Sequence, residues 1–271
     1  MSELQLETRG DGTPAVFVHG SFRGGLDTFR DQLALADEYR VIVVDRRGFG
    51  GSASTASDGW PTDTEDLVAL LDELGQAHVV GHSYGAVVAL VAAARVPERL
   101  LSLVAIEPPA FELACGDLAA EATTIAMKPV YERAHELTTA EFVQEWARTR
   151  GMNRDRIDAW IASFGAAEWA AAEATHRERW PGDAPVQLDL LARAAFPTVV
   201  VAGGYDGHAR GGRDFAAVCR TLADGIGARF VVFERSMHTP QIEEPEAFNR
   251  LLRELWRCRG GETTAARSDR G

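Results

Sequence analysis

The sequence predicts an α/β fold in which a mostly parallel, doubly wound sheet carries an inserted helical cap. Two observations support this class. Short apolar runs alternate with longer segments of helical period, and this alternation is typical of a parallel sheet with helices on both faces. The alternation is interrupted once, between Pro109 and Pro197, by a segment rich in Ala, Glu and Trp that contains no convincing strand.

The predicted strands are composed largely of Val and Ile. Near-continuous apolar strands are expected where a sheet is buried on both faces. Six such runs occupy residues 15–18, 41–44, 78–80, 103–106, 198–202 and 229–233. A more polar run at residues 4–8 precedes them, and we expect it to form an edge strand.

Helical segments lie between the strands. Their predicted ranges are residues 26–36, 64–74, 84–94, 212–222 and 244–256. Thr62 is followed three residues later by Glu65, and this capping-box pattern predicts the start of the second helix.

The interruption divides the chain into a core and an insertion. Residues 1–109 and 197–257 are expected to form the core. Residues 110–196 are expected to form a helical cap, because so long a segment without secondary structure is uncommon in a compact domain. Residues 258–271 carry Gly, Ser, Thr and Arg with almost no apolar side chain, which predicts a flexible tail.

Four of the six tryptophans lie in the predicted cap: Trp146, Trp160, Trp169 and Trp180. Large aromatic side chains dominate core burial, so one interpretation is that they pack the cap helices together. The other is that some of them line an apolar substrate pocket. The candidate substrate contacts are Trp146, Trp160 and, from the core, Phe22.

Composition and charge exclude several classes of partner. The chain has 271 residues, of which 46% are hydrophobic and 25% charged, and its net charge is −12. So acidic a chain lacks the clustered Lys and Arg that a nucleic acid or an anionic membrane surface requires. No basic N-terminal segment leads into an apolar stretch, and no stretch approaches the length of a membrane span. We expect a cytoplasmic monomer or homodimer.

The cysteines and histidines predict neither a disulfide framework nor a metal site. The three cysteines, Cys115, Cys219 and Cys258, are widely spaced, which fits a reducing compartment. No His or Cys pair has the spacing of metal ligands, and no Gly-x-Gly-x-x-Gly follows a strand. We therefore expect no metal and no cofactor.

Residues 81–85 read Gly-His-Ser-Tyr-Gly and lie between a predicted strand and a predicted helix. A serine hydroxyl is a weak nucleophile unless the backbone presents it and a base deprotonates it. Glycines two residues to either side of Ser83 allow the strand to turn abruptly into the helix, which exposes the hydroxyl. The pattern therefore predicts a nucleophile elbow with Ser83 as the nucleophile.

A serine nucleophile needs a base, and the base needs an acid to orient it. Among the seven histidines His238 is the best placed, because it lies in a loop directly after the last predicted strand. Two carboxylates that follow strands compete for the third role. Asp206 is preferred, since its loop is the usual place for the acid in a nucleophile-elbow protein, and Glu107 is the alternative.

Two backbone amides are predicted to stabilise an oxyanion. Tyr84 directly follows the nucleophile, and Ser21 directly follows Val18-His19-Gly20, where a strand ends in a glycine-containing turn. Each such donor is worth about 3 kcal/mol in the transition state. The amide of Phe22 is the alternative to that of Ser21.

The sequence resembles the α/β-hydrolase superfamily in five motifs that occur in the family's order. They occupy residues 16–20, 45–52, 81–85, 203–206 and 237–240. The resemblance covers nearly the whole chain outside the cap. It implies the α/β-hydrolase fold and an esterase-like or lactonase-like activity, with structural rather than catalytic roles for Asp45 and Arg47. Ser83 disfavours the dehalogenases and epoxide hydrolases of the superfamily, which carry Asp as nucleophile, and some superfamily lactonases and esterases use an acid at the position of Glu107.

These residues predict a cofactor-free serine hydrolase that cleaves an ester, lactone or related acyl bond of a small apolar substrate through an acyl-enzyme. Two alternatives remain open. The same triad can serve carbon–carbon bond hydrolysis, perhydrolysis or a lyase or cyclase step in biosynthesis, because a fold does not determine its chemistry. The chain can also be a ligand-binding member without activity, although degenerate triads often mark such proteins and this triad is intact.

Overall fold

The computed structural model describes residues 4–52, 57, 59–205 and 212–257. The predicted tail at residues 258–271, together with Cys258 and Asp206, lies outside the described residues. Within the described ranges the chain forms seven strands: β1 Leu6–Arg9, β2 Thr13–Val18, β3 Tyr39–Val44, β4 Ala77–His82, β5 Leu100–Ile106, β6 Thr198–Gly203 and β7 Arg229–Phe233.

The seven strands form one sheet in the order β1-β3-β2-β4-β5-β6-β7. β1 runs antiparallel to β3, and every other neighbouring pair is parallel. The predicted α/β class with a mostly parallel sheet is therefore confirmed. Parallel strands place their carboxyl ends at one edge, so the residues that follow β2, β4, β5 and β6 are brought together there.

Eleven α-helices accompany the sheet in the described part of the chain. They are α1 Gly25–Phe29, α2 Trp60–Leu74, α3 Tyr84–Arg95, α4 Leu118–Glu132, α5 Thr139–Thr149, α6 Arg154–Ala162, α7 Ala166–His176, α8 Leu188–Ala192, α9 Arg213–Ile226, α10 Pro240–Glu243 and α11 Pro245–Arg257. Short 3-10 helices occupy Arg30–Leu35, Pro97–Arg99, Phe111–Ala114, Ala134–Glu136 and Pro181–Asp183. None of the described helices combines the length and the apolar character that crossing a membrane requires.

Successive side chains of β2 point to opposite faces of the sheet, as strand geometry requires. Val16 and Val18 belong to a hydrophobic cluster with side chains of α2, α3 and α9. Ala15 and Phe17 belong to a second cluster with side chains of α1 and α11. The sheet is doubly wound, and burial on both faces explains why its central strands consist largely of Val and Ile.

The start of α2 differs from the prediction. The helix begins at Trp60, after Gly59 with a φ of 71°, so Thr62 lies inside it and the predicted capping box is wrong. The backbone amide of Trp60 instead donates to the hydroxyl of Tyr84 at 2.9 Å. A tertiary contact therefore satisfies one of the amides that helix ends leave without an internal partner.

Helices α4 to α8 lie between β5 and β6, in the stretch where the sequence predicts no strand. Side chains of Asp117, Thr138 and Asn153 accept hydrogen bonds from the first turns of α4, α5 and α6. A hydrophobic cluster that includes Phe142 of α5 and Phe215 of α9 joins this inserted segment to the core. The segment is thus anchored beside the carboxyl end of β6, which precedes α9.

Candidate active site

Ser83 lies at the junction between β4 and α3. Its φ of 52° falls in the left-handed region that residues with a Cβ rarely adopt, as the sharp turn of a nucleophile elbow requires. A Cβ at Gly81 would lie 2.5 Å from the carbonyl oxygen of Gly85, and one at Gly85 would lie 2.3 Å from that of Val18. Because neither position has room for a side chain, both glycines are needed for this turn.

Unusual backbone conformations are concentrated at this edge of the sheet. Among the described residues, the non-glycine residues with positive φ are Phe22, Ser83, Glu107 and Tyr205. Each lies just beyond the carboxyl end of a strand, β2, β4, β5 and β6 respectively. Such conformations cost on the order of 1–3 kcal/mol each and persist where the surrounding structure holds them, which is common at functional sites.

Ser83 lines a cavity of about 270 Å³. The cavity brings together most of the residues that the sequence singles out: Ser21, Phe22, Ser83, Tyr84, Trp146 and His238. Trp160, the other predicted substrate contact from the cap, is not among the residues that line it; its ring packs behind the cavity wall against that of Phe22, with centroids 5.6 Å apart. Met127, Tyr131 and Trp180 from the inserted segment complete a largely apolar wall.

The imidazole of His238 has a carboxylate partner in Glu107. His238 Nδ1 lies 2.5 Å from Glu107 Oε2, and Glu107 is completely buried. The described partner of His238 is thus the acid that the sequence ranked second, and the preferred acid, Asp206, lies outside the described residues. The physical reason is the position of β5 directly beside the elbow strand β4, which places the residue after β5 under the imidazole.

Two further donors converge on Glu107. The amide of Gly203 donates to Oε1 at 2.7 Å, and the hydroxyl of Tyr205 donates to Oε2 at 2.6 Å. Burial and the neighbouring Glu107 carboxylate raise the pKa of Tyr205 well above its usual value, so the phenol stays protonated and keeps donating. The arrangement suits an ionised carboxylate, which only accepts hydrogen bonds.

His238 is also held by two rings that the sequence did not single out. His82 Nε2 donates to the carbonyl oxygen of His238 at 2.9 Å, and the two imidazole centroids are 4.8 Å apart. Burial and the nearby His238 lower the pKa of His82 well below its usual value, so this ring stays neutral. The ring of Phe215 lies against His238 with centroids 4.6 Å apart.

The predicted oxyanion donors flank Ser83. Ser21 follows β2, Tyr84 begins α3, and both line the cavity. The amide of Phe22, the alternative donor, donates to Thr175 Oγ1 at 2.8 Å. Thr175 belongs to the inserted segment, so the group that occupies this amide comes from an element far away along the chain.

A buried charge network lies behind the turn that carries Ser21. Arg46 is 3% exposed and donates to Asp63 Oδ2 at 2.6 Å and to Glu178 Oε1 at 2.5 Å. It also donates to the carbonyl oxygens of His19, at 3.0 Å, and Gly20, at 2.9 Å. Burial opposes the charge of Arg46, but the two carboxylates raise its pKa overall, so it stays a cation. Sequence reasoning missed this network because its members are far apart along the chain.

The pH dependence of stability provides a test of the network. Burial raises the pKa of Glu178 to about 7 from an ordinary value of 4.5. Between pH 4.5 and pH 7, Glu178 therefore keeps its proton in the folded protein and releases it in the unfolded chain. The stability that Glu178 contributes is fully present below about pH 4.5 and is lost as the pH rises through about 7.

We expect the free energy of unfolding of the wild type, minus that of Glu178→Gln, to fall by up to about 3 kcal/mol across this window. Urea titrations at a series of pH values measure the difference. A difference that does not change with pH would contradict the assigned direction.

Comparisons with known proteins agree with the fold. A family model described as "Alpha/beta hydrolase family" matches residues 15–251 of the chain. The pimeloyl-(acyl-carrier protein) methyl ester esterase of Aeromonas hydrophila is 29% identical over 262 residues, which cover 92% of this chain and 97% of that protein.

A second relative is longer than this chain. The dihydrolipoyllysine-residue acetyltransferase component of the acetoin cleaving system of Cupriavidus necator is 29% identical over 263 residues. The match covers 92% of this chain but 65% of that protein, so this chain spans less than two thirds of that relative's length. Among solved structures, a thermophilic esterase from Thermogutta terrifontis with malate bound has a TM-score of 0.68 and 26% identity, covering 94% of this chain and 93% of that one.

Proposed function

Because the chain belongs to the α/β hydrolase family, we propose that it is a cofactor-free serine hydrolase that cleaves an ester, lactone or related acyl bond of a small apolar substrate. The observation that carries the proposal is the pairing of His238 with Glu107 at 2.5 Å, in a cavity that Ser83 also lines. A buried carboxylate that orients an imidazole beside a serine on a strained turn is the arrangement that nucleophilic acyl transfer needs.

Each residue has one role in the proposed reaction. Ser83 Oγ attacks the acyl carbon while His238 Nε2 accepts the hydroxyl proton, and Glu107 holds Nδ1–H and stabilises the imidazolium. The amides of Ser21 and Tyr84 donate to the oxyanion. His238 then protonates the leaving alkoxide, which departs and leaves an acyl-enzyme. Water, deprotonated by His238, attacks the acyl carbon, and collapse of the second tetrahedral intermediate releases the acid and restores the serine hydroxyl.

The cavity favours a small substrate with an apolar body. Its volume of about 270 Å³ lies just below the usual range of ligand pockets, which is roughly 300–1,000 Å³. Apolar and aromatic side chains dominate the walls, and Arg150, paired with Asp214 at 2.6 Å, supplies a polar group. We propose that residues 110–196 act as a cap, since Met127, Tyr131, Trp146 and Trp180 from this segment line the cavity.

An activity screen tests the proposal. We expect p-nitrophenyl esters with short acyl chains to be hydrolysed fastest, and turnover to fall as the chain outgrows the cavity; small lactones are assayed beside them. If no ester or lactone is turned over, the proposal fails. A wild-type protein that hydrolyses none of them but still reacts at Ser83 with a fluorophosphonate would favour one of the other triad reactions.

Trp146→Ala is expected to shift the acyl-chain preference towards longer esters. The Trp146 ring lines the cavity and packs against Phe22 with centroids 4.7 Å apart, so its removal opens space along the wall. Room for one or two more buried methylenes changes the ratio of kcat/KM for hexanoyl over acetyl esters by about tenfold.

Trp169→Ala is the matched control for this change. Trp169 packs against Phe164, with ring centroids 5.2 Å apart, and does not line the cavity. Trp169→Ala should keep the acyl-chain preference of the wild type. If Trp146→Ala also keeps it, the ring of Trp146 does not limit the length of the acyl chain.

A further inference from the structure

We propose that Glu178, in the inserted segment, is a positioning residue that holds the turn carrying Ser21, so that contact between this segment and the core assembles the oxyanion hole. The inference rests on the proposed function, because it concerns the geometry of a site that stabilises an oxyanion. It assigns to residues 175–179, here called the docking segment, a role distinct from lining the cavity.

Three hydrogen bonds join the docking segment to the turn after β2 and to the start of α3. The hydroxyl of Ser21 donates to Glu178 Oε2 at 2.5 Å, and the amide of Phe22 donates to Thr175 Oγ1 at 2.8 Å. The phenol of Tyr84 donates to the carbonyl oxygen of Arg179 at 3.1 Å. Both residues proposed to supply oxyanion donors are therefore anchored, through their side chains, to the same short stretch of the insertion.

Arg46 also holds Gly20, the residue before Ser21. Its Nη2 donates to both the carbonyl oxygen of Gly20 and Oε1 of Glu178. Its guanidinium carbon lies 4.6 Å from the ring centroid of Phe49 and 4.7 Å from that of Tyr84. Glu178 thus uses one carboxylate oxygen for Ser21 and the other for Arg46, and the cation fixes the backbone on the other side of the turn.

Burial makes the loss of any of these contacts costly. The side chains of Arg46 and Glu178 are each 2% exposed, so water does not readily replace a lost partner. A glutamine at position 178 is uncharged and offers one acceptor oxygen and one NH₂ group in place of two carboxylate oxygens, so it cannot reproduce the charge-assisted bonds from both Ser21 and Arg46. At least one of the two contacts to the turn is then weakened, and a displacement of the Ser21 amide weakens its bond to the oxyanion more than its contact with bound substrate.

A purely structural ion pair makes a different prediction. Loss of a structural pair lowers the temperature of unfolding and leaves the folded enzyme's kinetics unchanged. Loss of a positioning contact lowers kcat more than it changes KM, and it weakens a transition-state analogue in proportion. A trifluoromethyl ketone, whose adduct with Ser83 places an oxyanion in the hole, is the probe that separates the two roles.

Ser21→Ala is the main variant, because it removes the hydroxyl and keeps the backbone amide. At about pH 8.5, where Glu178 is ionised, we expect kcat for the best aryl ester to fall by about 10- to 100-fold, less than the loss of a whole donor. The inhibition constant of the trifluoromethyl ketone should rise by the same factor. Ser21→Thr keeps a hydroxyl and should restore most of the lost kcat.

Glu178→Gln should show the same loss as Ser21→Ala. The double variant should be little worse than Glu178→Gln alone, because both changes act on the hydrogen bond between Ser21 and Glu178. Asp66→Asn is the matched control: Asp66 is 7% exposed and pairs with Arg47 at 2.5 Å, away from the cavity lining. This control should unfold at a lower temperature and keep the kinetics of the wild type.

The outcomes separate the two proposals. A wild type that turns over no ester or lactone overturns the proposed function itself. An active wild type with folded Ser21→Ala and Glu178→Gln variants that keep its kcat and inhibition constant overturns the positioning role alone. If Glu178→Gln does not fold, Ser21→Ala decides the question, because it deletes one oxygen atom from a partly exposed residue.

Discussion

Ser83→Ala is expected to lower kcat for the best ester about 10⁶-fold, to the small acceleration that binding and the oxyanion donors provide on their own. Without Oγ no acyl-enzyme can form, and His238 and Glu107 have no hydroxyl to activate. His238→Ala should cost nearly as much, and the double variant little more, because the residues act as one unit.

Ser163→Ala is the control for Ser83→Ala. Ser163 is exposed on the inserted segment, and its hydroxyl donates to the carbonyl oxygen of Trp160 at 2.6 Å. This variant should keep the wild-type kcat. If Ser83→Ala retains more than about one hundredth of the wild-type turnover, the nucleophile has been assigned to the wrong residue.

Glu107→Gln is expected to lower kcat about 10⁴-fold, as the loss of the orienting carboxylate does in other triads. The amide cannot stabilise the imidazolium, and its NH₂ group favours the tautomer of His238 in which Nδ1 accepts a hydrogen bond. That tautomer carries its proton on Nε2, where the base must be free to accept one from Ser83.

Asp206→Asn is the decisive comparison for the acid. We expect it to change kcat by no more than a few-fold, because the described partner of His238 Nδ1 is Glu107. A large loss in Asp206→Asn with a mild loss in Glu107→Gln would restore the order of preference that the sequence suggested. Equal mild losses would refute both assignments. Thermal unfolding of each variant separates loss of folding from loss of catalysis.

The order and type of the elements could be predicted because buried parallel strands need continuous apolar residues. The predicted run at residues 229–233 coincides with β7, and most of the others are short of the true ends by one to three residues. Where local pattern competes with a tertiary contact, the prediction fails. Thr62 and Glu65 suggest a capping box, but the hydroxyl of Tyr84 fixes the helix start earlier.

The elbow could be predicted because its requirements are local: two glycines, a strand and a helix. The contact between Glu107 and His238 could not be predicted, because the two residues are 131 positions apart and only the sheet order brings them together. The contact between Ser21 and Glu178 spans 157 positions and has no sequence signal. Positive φ at Glu107 is also invisible in the sequence, because no glycine marks it.

The most direct test of the central claim, that Ser83 is a nucleophile activated within this cavity, is reaction with a fluorophosphonate followed by peptide mass mapping. We predict one adduct per chain on the peptide that contains Ser83, lost in Ser83→Ala and strongly slowed in Glu107→Gln. An unlabelled wild type, or an adduct that persists on another residue in Ser83→Ala, would contradict the account.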